Sequence, residues 1–212
     1  MSEAMQWKIC GLKDPANIAA ILSDIRPDYA GLIFYRDSSR YAGNLPPEQL
    51  PVFPAETKKV GVFVNQSAEE IVQATADYGL QLLQLHGSES AEFCRSIRQT
   101  TGLPVIKAFS VGETFDFAKL TDYEPTVDFF LFDTQGKNHG GNGVTFNWDL
   151  LKNYPFGKPF FLSGGIGTEH AEALKTLLLP ALHAIDVNSR FEAAPGMKNT
   201  DLLRDFKTKL GL

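Results

Sequence analysis

The sequence predicts an α/β protein in which eight parallel strands close into one barrel. Short apolar runs alternate with helix-like segments along all 212 residues, and the units number eight. No GxGxxG turn follows the first strand, as it would in an open dinucleotide-binding sheet. Strict alternation makes the strands parallel, because each intervening segment is the crossover between them. The 212 residues give each unit about 26, against roughly 250 residues in all for a typical (β/α)8, or TIM, barrel. The expectation is therefore a compact barrel with short loops. No linker, low-complexity tract or shift of composition divides the chain, so residues 1–212 are expected to form one domain.

Each element has its own signal. WKIC (7–10) is the first strand, and DPANIAAILSDI after it places Ile18, Ile21, Leu22 and Ile25 at helical spacing. YAGLIFY (29–35) is the second strand; PPEQLPVF (46–53) is a poor helix because Pro51 interrupts it. KKVGVFV (58–64) is a β-branched run, followed by a capping box of Ser67 and Glu70 that opens the helix SAEEIVQATADYG. LQLLQLH (80–86) leads into SAEFCRSIRQT, which Gly102-Leu103-Pro104 ends. PVIKAF (104–109) precedes ETFDFAKLTDY, and VDFFLFD (127–133) precedes a glycine-rich loop and a helix start at NWDLLKNY (147–154). KPFFLSG (158–164) pairs with TEHAEALKTLLL, and AIDVN (184–188) with NTDLLRDFKTKL.

Composition narrows the class of function. With 43% apolar and 21% charged residues the chain is an ordinary globular sequence, which excludes wholesale disorder. Sixteen phenylalanines suit a well-filled interior. A net charge of -5 argues against broad attraction to nucleic acid or an anionic membrane, while leaving room for one small anion at a local site. No apolar run approaches the roughly 18 residues of a membrane span, and MSEAMQWKICG carries no export signal. Cys10 and Cys94 have neither metal-ligand nor CxxC spacing, so they read as free thiols in a reducing compartment. These features predict a cytoplasmic protein with a small-molecule partner, and both a monomer and a homodimer fit them.

In such a barrel, chemistry gathers at the C-terminal ends of the strands. That filter selects Lys8 and Cys10 on strand 1, Arg40 in loop 2, His86 after strand 4 and Asp133 ending strand 6. It also selects Gly140, Gly141 and Gly143 in loop 6, Ser163, Gly164 and Gly165 after strand 7, and Asp186, Asn188 and Ser189 along strand 8. The SGG of loop 7 with the NSR of loop 8 occupies the place where barrels bind phosphate, which predicts a phosphorylated substrate; the glycines alone also fit a tight turn. Cys10 alternates with Lys8 and so shares its face, and is either a base or a small core residue. Asp133 ends an apolar run, which leaves it desolvated, paired or at the rim; it is either an acid or a loop cap. His139 and His183 have no partner legible in the sequence, and Cys94 suits helix packing.

Seven segments in register then carry a resemblance. KICG (8–11), FYRDSSRY (34–41), VGVFVN (60–65), QLHG (84–87), FDTQGKNHGGNGVTFNW (132–148), LSGGI (162–166) and DVNSRFEAAPGMKN (186–199) together closely resemble the phosphoribosylanthranilate isomerase family, over nearly the whole chain. The resemblance implies a (β/α)8 barrel that performs an Amadori rearrangement in tryptophan biosynthesis with no metal and no organic cofactor. It implies Cys10 as general base, Asp133 as general acid and Arg40 against the anthranilate carboxylate. Gly164 and Gly165, with the loop after strand 8, are implied to hold the phosphate. Lys8, His86, Ser163, Asn188 and Ser189 complete the expected substrate-binding set.

Four residues, at three places, depart from the family pattern. Arg36-Asp37 stand where the family has Pro-Lys, which alters the charge of loop 2. Asn147 stands for Asp before Trp148, a swap between equivalent caps. Arg190 replaces the glycine after Ser189, which removes freedom of positive φ and adds a positive charge beside the expected phosphate site.

Overall fold

The structure, a computed structural model, describes residues 5–134 and 147–212. His139, Gly140, Gly141 and Gly143, selected from the sequence, lie outside the described residues. The eight strands are β1 (Gln6–Ile9), β2 (Tyr29–Ile33), β3 (Lys58–Phe63), β4 (Leu82–Leu85), β5 (Val105–Val111), β6 (Phe129–Thr134), β7 (Phe160–Leu162) and β8 (Leu182–Val187). They form a closed barrel in chain order, and every neighbouring pair is parallel. The barrel closes where β8 pairs with β1 and Lys8 stands in register with Asp186. Each strand falls within two residues of the run that predicts it.

The strands hold a sequence-encoded alternation. Tyr29, Val60, Leu82, Ile106, Ala108, Leu131, Phe161 and Ala184 make one buried cluster that fills the barrel. Their neighbours Trp7, Ile9, Phe63, Leu83, Phe130, Phe132 and Phe160 face the surrounding layer instead. At the strand starts, Tyr29 Oη lies 2.7 Å from His183 Nε2 and donates to Gln6 Oε1 at 3.0 Å. His183 thus sits at the barrel floor, remote from the chemistry-bearing end.

Helices α1 (Pro15–Ala20), α2 (Ala68–Tyr78), α3 (Ala91–Thr101), α4 (Ala171–Thr176) and α5 (Thr200–Leu210) cover part of the barrel. Their boundaries follow local chemistry. Asp14 caps α1 with Pro15 in its first turn, and a single π-helical segment, Ile21–Ile25, continues it. The Ser67–Glu70 capping box forms at α2, and Gly79 and Gly102 end α2 and α3 in the left-handed conformation. Cys94 is buried on α3.

Units 2, 5 and 6 differ from the predicted strand-then-helix pattern. Among the described residues their crossovers contain only 3-10 segments: Pro47–Gln49, Phe117–Leu120 and Trp148–Asn153. The last begins at Asn147, whose side chain accepts from the Asp149 amide, and Tyr154-Pro155 halts it before a longer helix can grow. Aromatic side chains do the covering there. Phe115, Phe117 and Tyr154 pack edge-on against Phe132 at 5.9, 6.3 and 5.6 Å. The phenylalanine-rich composition is thus spent on the barrel's outer wall as well as its interior.

Candidate active site

One cleft opens at the C-terminal ends of the strands and is lined by Cys10, His86, Asp133, Ser163, Gly164, Gly165, Asn188 and Ser189. These eight expected residues come from five different units, and the closed sheet gathers them. Arg190, Asp186, Gln84, Tyr35 and Ser38 also line it. Two expected residues do not. Lys8 is wholly buried beneath the cleft, and Arg40 stands to the side, bound to a carboxylate.

Lys8 and Asp186 form a buried ion pair with Nζ–O distances of 3.0 and 2.9 Å across the β1–β8 seam. Burial alone would lower the Lys8 ammonium; Asp186 outweighs it, with Cys10 adding to the effect, and holds Lys8 above its ordinary value. Cys10 is almost wholly buried beside this pair. Burial pushes the thiol up, Lys8 opposes that shift, and Asp186 adds to it.

Asp133 takes two of the three options left open for it: it is largely buried, and its Oδ2 lies 3.4 Å from His86 Nε2. The other nitrogen, His86 Nδ1, is 2.7 Å from Gln84 Nε2. His86 is set by its loop, where the Gly87 amide donates to Glu89 and the Gly87 carbonyl accepts from Lys107. Lys107 and Glu89 are themselves a buried pair at 3.1 Å. β1 and β6 stand three positions apart round the sheet, so Cys10 and Asp133 enter the cleft from separate strands.

Gly164 and Gly165 have φ of +95° and +69°. A Cβ on Gly164 would collide with the backbone nitrogen and side chain of Thr134, so only glycine lets loop 7 lie against the end of β6. Opposite it, loop 8 folds into a 3-10 segment, Ser189–Phe191, in which Arg190 needs no positive φ. Arg190 lines the cleft and pairs with Glu169 at the start of the segment after loop 7, linking the two loops.

Arg40 donates from Nε to both oxygens of Glu192, at 2.9 and 3.0 Å, and from Nη2 at 2.6 Å. Glu192 begins β9 (Glu192–Ala194), which pairs antiparallel with β10 (Met197–Lys198) in a hairpin after β8. Sequence reasoning passed over Glu192 and Lys198, although Pro195-Gly196 between them is a turn signal that marks the hairpin. Gly11, next to Cys10, has φ +78°, and a Cβ on it would stand 2.7 Å from both Arg40 Cδ and Asn188 Oδ1. Among the described residues, no group of three or more His, Cys, Asp or Glu side chains is placed to hold a metal ion.

A cleft at the strand ends of a closed eight-stranded parallel barrel, lined by a thiol, a carboxylate and a glycine turn facing loop 8, places this chain among the (β/α)8-barrel enzymes. The family model described as N-(5'phosphoribosyl)anthranilate (PRA) isomerase matches residues 7–209. The chain belongs to that family, and it is an isomerase of tryptophan biosynthesis. The N-(5'-phosphoribosyl)anthranilate isomerase of Parabacteroides distasonis is 42% identical over 201 residues, which cover 94% of this chain and 90% of the relative. The phosphoribosyl anthranilate isomerase structure from Thermus thermophilus superposes with a TM-score of 0.83 at 28% identity, covering 98% of each chain. Another, in complex with reduced 1-(o-carboxyphenylamino)-1-deoxyribulose 5-phosphate, gives 0.80 at 31% identity over 98% of this chain and 100% of that one.

Proposed function

We propose that this chain converts N-(5-phosphoribosyl)anthranilate to 1-(2-carboxyphenylamino)-1-deoxyribulose 5-phosphate, with Cys10 as general base and Asp133 as general acid. The observation that carries the reading is the meeting of Cys10, Asp133 and the Gly164-Gly165 turn in one cleft. Asp133 gives a proton to the furanose ring oxygen as its bond to C1 breaks, which leaves an iminium at the anthranilate nitrogen. Cys10 thiolate then takes the proton from C2, and the electron pair moves into the C1–C2 bond to neutralise the iminium. The resulting enolamine tautomerises to the ketose. Acid and base must reach different atoms of one sugar, which suits groups held on β1 and β6.

The remaining residues bind and orient. Lys8 sits under Cys10 and favours its thiolate, and His86 aligns Asp133. Gly164, Gly165, Ser163 and Ser189 take the phosphate, Arg190 extends that site, and Asn188 bonds the sugar. Arg40 takes the anthranilate carboxylate, because a planar guanidinium matches a planar carboxylate. We read residues 1–212 as one catalytic domain working in the cytoplasm. Among the described residues, no helix is long and apolar enough to cross a membrane.

Turnover is followed by the fluorescence of anthranilate-derived substrate generated in situ, with purified protein and no added metal. Cys10→Ala and Asp133→Ala are each expected to lose at least about 10²-fold in kcat, the usual weight of a positioned acid or base. No turnover by the intact protein sinks the activity; full activity in either variant sinks that residue's role. The aminoaldose isomerase of histidine synthesis, a second reading, is expected to use paired aspartates at the ends of two strands, and a substrate panel separates the two. The thiol on β1 favours the anthranilate substrate.

A further inference from the structure

The hairpin after β8 carries a buried ion pair that the reaction scheme above does not use. Glu192 and Lys198 have side chains only 4% and 0% exposed, with Nζ 2.6 Å from Oε1. Burying such a pair is a poor way to stabilise a two-stranded hairpin, since apolar side chains would serve as well. Its partners show what it holds instead. Lys198 Nζ also donates to Asn188 Oδ1 at 2.6 Å and to the Asn188 carbonyl at 3.3 Å. Glu192 takes the Nε edge of Arg40, and the Gly196 amide donates to Oε1 at 3.0 Å.

Two consequences follow from the donor inventory. An ammonium only donates, so the Asn188 group facing Lys198 is its carbonyl oxygen, and its NH2 group is left for the cleft that Asn188 lines. A carboxylate on one edge of a guanidinium fixes the plane and direction of the other edge. Arg40 and Asn188 meet over Gly11, where a Cβ would touch both, directly beside Cys10. Two cations share one carboxylate, so the cluster keeps a net positive charge. The hairpin is tied down in turn: the Lys198 amide donates to Asn17 Oδ1 at 2.8 Å, and Asn17 Nδ2 donates to the Lys198 carbonyl at 2.9 Å.

We propose that Glu192 and Lys198 are positioning residues that aim two different binding groups: Glu192 directs Arg40 at the substrate carboxylate, and Lys198 turns the Asn188 NH2 toward the sugar. This rests on the anthranilate reading of the site. Two ligands separate the roles: the reduced product analogue, and the same compound with phenyl in place of carboxyphenyl. Binding of both is measured by calorimetry to folded wild type, Glu192→Gln and Lys198→Met. Wild type is expected to prefer the carboxylated ligand. Glu192→Gln is expected to lose about tenfold of that preference, with its affinity for the phenyl ligand nearly kept. Lys198→Met is expected to weaken both ligands alike by about tenfold, with the preference intact.

A folded Glu192→Gln that keeps the wild-type preference overturns the Arg40 half, and a Lys198→Met that binds both ligands normally overturns the Asn188 half. Should Glu192→Gln fail to fold, Glu192→Asp, which keeps the charge and draws it back from Arg40, is expected to show the same loss; an unchanged preference there refutes the clamp. Wild type that turns over the anthranilate substrate while either variant contradicts its pattern sinks this proposal alone. Wild type that binds neither ligand sinks the substrate reading and the proposal with it.

Discussion

Cys10 and Lys8 are two residues apart on β1, and that spacing alone puts thiol and ammonium on one face. The consequence for catalysis is a matter of sign. A general base works deprotonated, and burial raises the Cys10 thiol above its ordinary value of 9.0. Over neutral pH the thiolate is therefore the minor form, and its population grows tenfold per pH unit. In Asp133→Ala, where the acid no longer titrates, the residual log kcat/KM is expected to climb with unit slope from pH 6 to 8.5, since that ratio reports the free enzyme. A residual rate independent of pH in that variant would contradict Cys10 as the base. Asp133 shows a different limit: its apolar run leaves it desolvated, paired or at the rim, yet its neighbour His86 stands in the loop after another strand, β4. Local sequence marked both side chains, and Lys8 beside Cys10, but not the long-range pairings of Lys8 with Asp186 and of Asp133 with His86.

At the scale of elements, loop 7 is the most constrained feature. Gly164→Ala places a side chain at φ +95° against the backbone of Thr134. The left-handed backbone alone costs about 1–3 kcal/mol, and the collision adds to it. Chemical denaturation is expected to show at least that loss, and KM is expected to rise because the turn lies in the cleft. Gly102→Ala offers the contrast: its φ is +67°, but nothing stands within 4 Å of the new Cβ. It is expected to lose only the backbone share and to keep wild-type KM. Strands and capped helices were legible because period and caps act over a few residues, as with Ser67 and Glu70. The 3-10 segments after β5 and β6 were not. Their aromatics bind to Phe132 on another element, and that packing replaces a helix the local pattern suggested at 147–154.

At the scale of the whole molecule, ion pairs join distant parts of the chain and set its response to acid. Burial would raise Glu192; Arg40 and Lys198 outweigh it and hold the carboxyl below its ordinary value. Glu169 is lowered too, first by its backbone hydrogen bond and then by Arg190. A carboxylate depressed in the folded state adds stability that is complete above the unfolded value and is lost as pH falls through the folded one. The melting temperature is therefore expected to hold near pH 6 and to drop below about pH 4.5, the ordinary glutamate range. In Glu192→Gln that drop should shrink while the plateau starts lower; an unchanged acid limb would show that Glu192 is not a source of it.

The alternation of elements, their number, the helix caps and the cluster of chemistry-bearing residues after the strands were determined by the sequence itself. All of these depend on spacings of a few residues, which a linear reading captures. Which charges meet was decided only by the closed barrel. Lys8 pairs with Asp186 across 178 residues, and Arg40 with Glu192 across 152. Both contacts form because β8 returns to β1 and brings the last loop over the first strand. Arg40, read from the sequence as a ligand for the substrate, therefore has a partner within the protein first. The physical reason is range: periodicity and capping are local interactions, whereas a buried charge takes its partner from whatever the closure of the sheet sets beside it.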